Sequence, residues 1–185
     1  RQAMGPATRE NVGGQAHPAI RTLFGLIEPR QIDSDWVEEL LTHELPHLVF
    51  DEAVANPYDY PPRWLNEGVA VYLSSGYTDG DRAQVQGAAG SGTIIPLEGL
   101  GGNFPTRVIR SSLAYAESVS AVAFFVETYG EDRLVDLITS FGEGKGLDEL
   151  PGVHVKLEQE AELYSVMVAA MLCYDRFLFL NGRRG

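Results

Sequence analysis

The segment LLTHELPHLVF, residues 40–50, constrains the fold most, because it contains the spacing H-E-x-x-H at His43, Glu44 and His47. Two histidines in this spacing come close enough to bind one metal only in a helix, where residues four apart lie on one face about 6 Å apart along the axis. Pro46 stands between them, where it removes one helical hydrogen bond and disfavours helical angles at the residue before it. The sequence therefore predicts a helix that bends just before this proline and still aims both imidazoles at one point.

The two histidines are suited to binding one zinc ion, each nitrogen at roughly 2.0–2.1 Å from the metal. Glu44 is rotated by about 100° around the helix from His43, so it can miss the metal and act as a general base on a bound water. A catalytic zinc needs a third protein ligand. Glu67 supplies one, because it lies among apolar neighbours in RWLNEGVAVYL (63–73), and a buried carboxylate is unfavourable unless paired or metal-bound. The alternative is two solvent-exposed histidines near an acid and an ordinary acid on a helix surface.

The order of patterns along the chain predicts an α+β fold with few strands, all of them early. AIRTLFGLI (19–27) is typical of a strand, and Asp35 with Glu38 indicates the beginning of a helix that reaches about residue 50. The glycine-rich stretch 74–105 is predicted to be mostly loop, with a short strand at 93–95. Further helices are expected at 63–73, 112–130, 131–142 and about 157–180.

The chain is predicted to form one domain, since 185 residues suffice for a single core. Within it we expect a sheet edge in residues 1–30, the metal-ligand helices in 31–75, a glycine-rich loop region in 76–112 and a helical part in 113–185. Because the sequence starts with Arg1, we interpret it as a piece of a longer protein.

Composition excludes some classes of function. The net charge of −12 argues against nucleic-acid binding, which needs clustered Lys and Arg. Cys173 is the only cysteine, so an internal disulfide and a cysteine-based zinc site are excluded. No run of 18 apolar residues occurs, so we expect no membrane span in this chain. The compartment and the oligomeric state stay open.

Three blocks in the same order resemble the gluzincin zinc peptidases, in particular the peptidase MA-like group: HELPHLVF, PPRWLNEGVAVYL and AYAESVSAVAFFVETYG. The resemblance implies a zincin-like fold, with a short N-terminal sheet, an H-E-x-x-H helix, a zinc-glutamate helix and a mostly helical C-terminal part. It also implies that His43, His47 and Glu67 bind Zn²⁺ and that Glu44 activates water. By the same resemblance Tyr115, the tyrosine at the start of the third block, stabilises the oxyanion.

These features predict a zinc-dependent peptidase that acts on a peptide or protein substrate. No segment resembles the glycine-rich strand with which aminopeptidases capture a substrate amino terminus, so an endopeptidase is favoured. Two departures from the family pattern, Pro46 and an unfamiliar segment after residue 150, keep an alternative open: an inactive binding or assembly module of the same fold with a structural or weakened zinc site. A metal-free helical scaffold would require all three blocks to be coincidental.

Overall fold

A computed structural model describes residues 14–145 except residues 57 and 59. It begins with an antiparallel hairpin of β1 (Gly14–His17) and β2 (Thr22–Gly25), in which Gly14 is opposite Gly25. A 3-10 turn at Pro18–Ile20 joins the strands, and Arg21 closes it in the left-handed region with φ 48°. The strand expected over 19–27 is therefore shorter, because its first residues form the turn.

Helix α1 (Asp35–Val54) follows Ser34, which is its N-cap residue, and Asp35 and Glu38 occupy its first turn. Acidic side chains there complement the positive end of the helix dipole. The helix continues through Pro46 and ends at Ala55, which adopts left-handed angles. The helix expected near residues 35–50 is thus present and longer. The bend expected at residues 42–46 stays a prediction.

Helix α2 (Arg63–Ser74) begins directly after Pro62, as the prolines at its entrance indicated. It buries Trp64, Leu65 and Val69. Its main packing partners are α1 and α5 (Val108–Tyr129). Helix α6 (Glu131–Gly142) packs against α1 and α5, and the hairpin lies against α1.

The glycine-rich stretch contains two helices, α3 (Asp79–Ser91) and α4 (Leu97–Gly101). The prediction of a loop over 74–105, part of the loop region assigned to 76–112, is therefore wrong. The short strand expected at 93–95 is also absent from this described part of the chain.

Local capping and packing explain helix α3 despite its glycines. Thr78 and Asp81 form a capping box, in which each side chain bonds the backbone N–H of the other residue. Gly87 and Gly90 face open space, so their missing side chains leave no cavity in the core. The opposite face buries small apolar residues, including Val85, against α5. Together these interactions outweigh the roughly 1 kcal/mol by which glycine disfavours a helix.

The core is formed by apolar side chains from α1, α2, α5 and α6 and from the segment between α3 and α5, together with Ala88 of α3. With a two-stranded sheet followed by helices, the described residues confirm the α+β class. The helix expected at about 157–180 lies outside the described residues. Among the described helices, none is both long and apolar enough to cross a bilayer.

Candidate metal centre

Helix α1 places His43 and His47 on one face, one turn apart. Their ring centroids are 5.2 Å apart, and the rings meet edge to face. Both side chains are largely buried, with exposed fractions of 24% and 15%. Pro46 therefore lies inside the helix without separating the two imidazoles.

Helix α2 brings Glu67 to the same point. Oε2 of Glu67 is 3.7 Å from Nε2 of His43 and 3.6 Å from Nε2 of His47. One ligand atom from each of the three residues lies within 4.8 Å of the others. The structure thus assembles the three residues that the sequence singles out as metal ligands.

The spacing of these atoms suits a small divalent cation. Three ligands at about 2.0–2.1 Å around a tetrahedral metal lie roughly 3.3–3.4 Å from one another. The histidine-to-glutamate distances exceed that value by only a few tenths of an ångström. Two imidazole nitrogens and one carboxylate oxygen also match the donor preference of zinc. His43, His47 and Glu67 could therefore hold a zinc ion with little rearrangement.

A hydrogen-bond chain orients His47. Its Nδ1 bonds to Oδ1 of Asn66, and Nδ2 of Asn66 donates to the hydroxyl of Tyr60 at 2.7 Å. Because an amide oxygen can only accept, the proton lies on Nδ1 of His47. The lone pair of Nε2 therefore points towards Glu67, as metal binding requires. Sequence reasoning missed this role of Asn66, although the residue directly precedes Glu67.

Tyr60 is a neutral phenol at the outer end of this chain. Burial and the negative charge of Asp51 raise its pKa to about 12, Glu67 adds to the shift, and the hydrogen bond from Asn66 opposes it. The hydroxyl therefore stays protonated at neutral pH and is able to accept the hydrogen bond from Asn66.

The carboxyl of Glu67 is negatively charged although it is only 8% exposed. Burial acts to raise its pKa, but a hydrogen bond with His43 and positive charge, from Arg63 and from the two histidines when they are protonated, outweigh burial, so the net pKa is lowered. Nη2 of Arg63 lies 2.9 Å from Oε1 of Glu67. The two oxygens are thus divided, with Oε1 towards Arg63 and Oε2 towards the histidines.

A glycine lets α2 approach α5 and brings Tyr115 to the site. A Cβ on Gly68 would lie 2.5 Å from the backbone oxygen of Ser118, so only glycine permits this contact. The Tyr115 ring is 6.4 Å from that of His43 and 5.2 Å from that of Phe104, measured between centroids.

The pKa of Tyr115 is raised, first by burial and then by the negative charges of Glu67 and Glu44. Arg63 acts in the opposite direction through its charge and as a hydrogen-bond partner. The phenol is therefore a proton donor at neutral pH, beside the first histidine.

Glu44 lies beside strand β1. A Cβ on Gly14 would come within 3.1 Å of Oε1 of Glu44 and within 2.7 Å of Cδ1 of Leu40, so a larger residue at this position would displace these two side chains. Glu44 therefore lies between the hairpin and the cluster, and its charge reaches Tyr115. Nothing in the sequence indicates the place of Gly14, because its approach to α1 depends on tertiary packing.

Comparison with known proteins connects this geometry to one family. The model of a family described as "Peptidase MA superfamily" matches residues 5–155 of the chain. Neither the curated proteins nor the solved structures gave a match.

Proposed function

This chain belongs to the Peptidase MA superfamily, and we propose that it is a zinc-dependent peptidase with its centre at His43, His47 and Glu67. Membership, together with the helices and the two-stranded sheet, is consistent with the zincin-like fold expected from the sequence. The observation that carries the proposal is the convergence of the three ligand atoms. The donor set and the orientation of His47 by Asn66 support it further.

A zinc ion held by His43, His47 and Glu67 would supply Lewis-acid chemistry and would make water easier to deprotonate. Glu44 takes the proton from the attacking water and later delivers it to the leaving amine, as a general base and then a general acid. Its place one residue after His43, beside the cluster, supports this role. Tyr115 donates its phenolic proton in a hydrogen bond to the oxygen on which negative charge develops.

We propose that the substrate is a peptide segment inside a protein chain, bound along the hairpin. An extended substrate can add to a free sheet edge through backbone hydrogen bonds. Strand β1 is suited to this, because within the described residues it pairs only with β2 and because it passes beside Glu44 at Gly14. Endopeptidase activity is favoured over aminopeptidase activity, because no segment of the sequence resembles the glycine-rich strand with which aminopeptidases capture a substrate amino terminus.

The test compares the full chain with its Glu44→Gln variant on an unfolded protein whose amino terminus is acetylated. The amide is nearly isosteric but takes no proton from water, so we expect wild-type zinc content and loss of hydrolysis. Glu39→Gln, the same change at an exposed position of α1, serves as the matched control and should keep full activity. Activity near wild type in Glu44→Gln would exclude Glu44 as the base. Cleavage only of substrates with a free amino terminus would contradict the endopeptidase proposal.

The second candidate is a non-catalytic binding module that keeps the same fold and zinc site. Pro46 favours it, because a proline within the ligand helix strains the turn that holds both histidines. Stoichiometric zinc in a wild-type protein that hydrolyses no unfolded substrate would support this candidate over the peptidase.

A further inference from the structure

Arg63 contacts the cluster from the side opposite the histidines. It is the first residue of α2, one turn before Glu67, and its Nη2 lies 2.9 Å from Oε1 of that carboxylate. The guanidinium carbon lies 5.1 Å from the centroid of the Phe104 ring. Phe104 is buried and itself packs edge to face on Tyr115. One guanidinium therefore touches the third metal ligand and the ring that supports the proposed oxyanion donor.

Two features of this placement are unfavourable for α2, although Arg63 also forms an i,i+4 ion pair with Glu67. A cation in the first turn of a helix faces the positive end of the helix dipole, which is unfavourable. In addition, Nε of Arg63 is buried and has no hydrogen-bond partner among the described residues. A buried donor without a partner is destabilising. Violations of local rules of this kind are expected where a residue serves a site rather than the fold.

The two oxygens of Glu67 have different partners, and this difference indicates the role of Arg63. A carboxylate with both oxygens free can rotate and offer either or both of them to a metal. With Oε1 bound to Arg63, only Oε2 faces the histidines. The planar, forked guanidinium suits this task better than an ammonium group, because it donates at fixed angles while its face rests on an aromatic ring.

We propose that Arg63 is a positioning residue: it holds Glu67 with Oε2 facing the histidines, where a zinc ion would bind, and it fixes Tyr115 both by direct contact and through Phe104. This inference rests on the proposed function of the cluster. It adds a role that the ligand motif does not contain, and it couples the metal ligand to the oxyanion donor through a single side chain.

If Arg63 acted on the site through its positive charge alone, its removal would have the opposite effect on zinc affinity. A guanidinium close to a zinc ion repels it, so loss of the charge without loss of positioning would tighten zinc binding. Arg63→Met removes the charge and the fork but keeps an apolar stem, whereas Arg63→Lys keeps the charge and loses only the fork. The two variants together separate positioning from charge.

The experiment measures the zinc dissociation constant of the full chain by competition with a chromophoric chelator. Arg82→Met is the matched control, because Arg82 also lies over an aromatic ring, at 4.2 Å from that of Tyr77, but on α3 away from the cluster. We expect zinc affinity to fall by about 10–100-fold in Arg63→Met, by several-fold in Arg63→Lys and not at all in the control. The Co²⁺ spectrum should change in both Arg63 variants, because the carboxylate ligand is no longer held in one orientation.

A kinetic comparison at saturating zinc tests the link to Tyr115. We expect kcat to fall while KM stays near wild type, because the affected donor acts on the transition state. Zinc binding as tight as wild type, or tighter, in either folded Arg63 variant would overturn the inference. If Arg63→Met does not fold, Arg63→Lys alone decides by the same criterion. Failure of the wild-type protein to bind zinc would instead refute the proposed function.

Discussion

Replacing Pro46 with threonine should stabilise the protein and leave its zinc site intact. Helix α1 continues through Pro46, whose nitrogen has no proton for the Thr42 carbonyl. In a helix interior proline is about 3 kcal/mol, and threonine roughly 0.6 kcal/mol, less favourable than alanine. The difference predicts a gain of about 2 kcal/mol in the free energy of unfolding. For a chain of this length, that gain raises Tm by about 4–8 °C.

The surroundings of the proline support a gain of this size rather than a larger one. Thr42 is exposed, and its hydroxyl already bonds the carbonyl oxygens of Glu38 at 2.9 Å and Glu39 at 3.0 Å. Water therefore has access to the turn and offsets part of the missing bond. Zinc affinity should be unchanged or higher, because a complete turn holds His43 and His47 at least as firmly.

The assay is thermal unfolding of the wild type, Pro46→Thr and Pro29→Thr, each with zinc and after chelation, since a bound ligand itself raises Tm. Pro29 is an exposed proline at the first position of a 3-10 turn, where its missing N–H leaves no helical bond unmade. The control should therefore show no comparable gain. An unchanged Tm in Pro46→Thr would refute the argument, and weaker zinc binding would show that the site depends on the proline.

Substitutions at three further positions test single residues of the site. Glu67→Ala should lower zinc affinity sharply, and unchanged zinc content by elemental analysis would remove Glu67 from the ligand set. Tyr115→Phe should keep the metal and reduce kcat by about 10²–10³-fold, as for loss of one oxyanion donor, whereas a loss below about tenfold would assign Tyr115 to packing. Asn66→Ala should weaken zinc binding by about 10–100-fold because His47 loses its acceptor. Asn66→Asp keeps an acceptor oxygen and should restore binding, so equal losses in both variants would contradict the orienting role.

The elements that the sequence predicts well are those with a strong local signal. Helix α2 follows two prolines and is rich in apolar residues, most of which it buries, and α6 follows Gly130 with acidic residues in its first turn. Helix α3 was missed because its glycines weaken the signal, while its stability comes from a capping box and from burial against α5. The hairpin was seen only in part, since the turn at Pro18–Ile20 lies within an apolar run typical of a strand.

The residues of the site also differ in how far the sequence predicts them. His43, His47 and Glu67 could be proposed together because their residue types and spacing carry the signal. Asn66 and Arg63 could not, because their contacts depend on which rotamers the packed helices leave to them. Spacing along a chain restricts which residues can meet, but the partner of each nitrogen or oxygen is decided by tertiary packing.

The first turns of α2 explain why the cluster tolerates a proline in α1. Arg63 and Glu67 lie one turn apart on one face, so they pair, while Asn66 is displaced by about 100° from Glu67 and reaches His47. Gly68 is displaced from Glu67 by the same angle in the opposite direction around the helix, and it packs against the backbone of α5. Because α2 is fixed on α5 through Gly68, Glu67 and Asn66 meet α1 as a rigid pair that holds both histidine rings. A local distortion of α1 is therefore opposed by contacts from a helix that carries no distortion of its own.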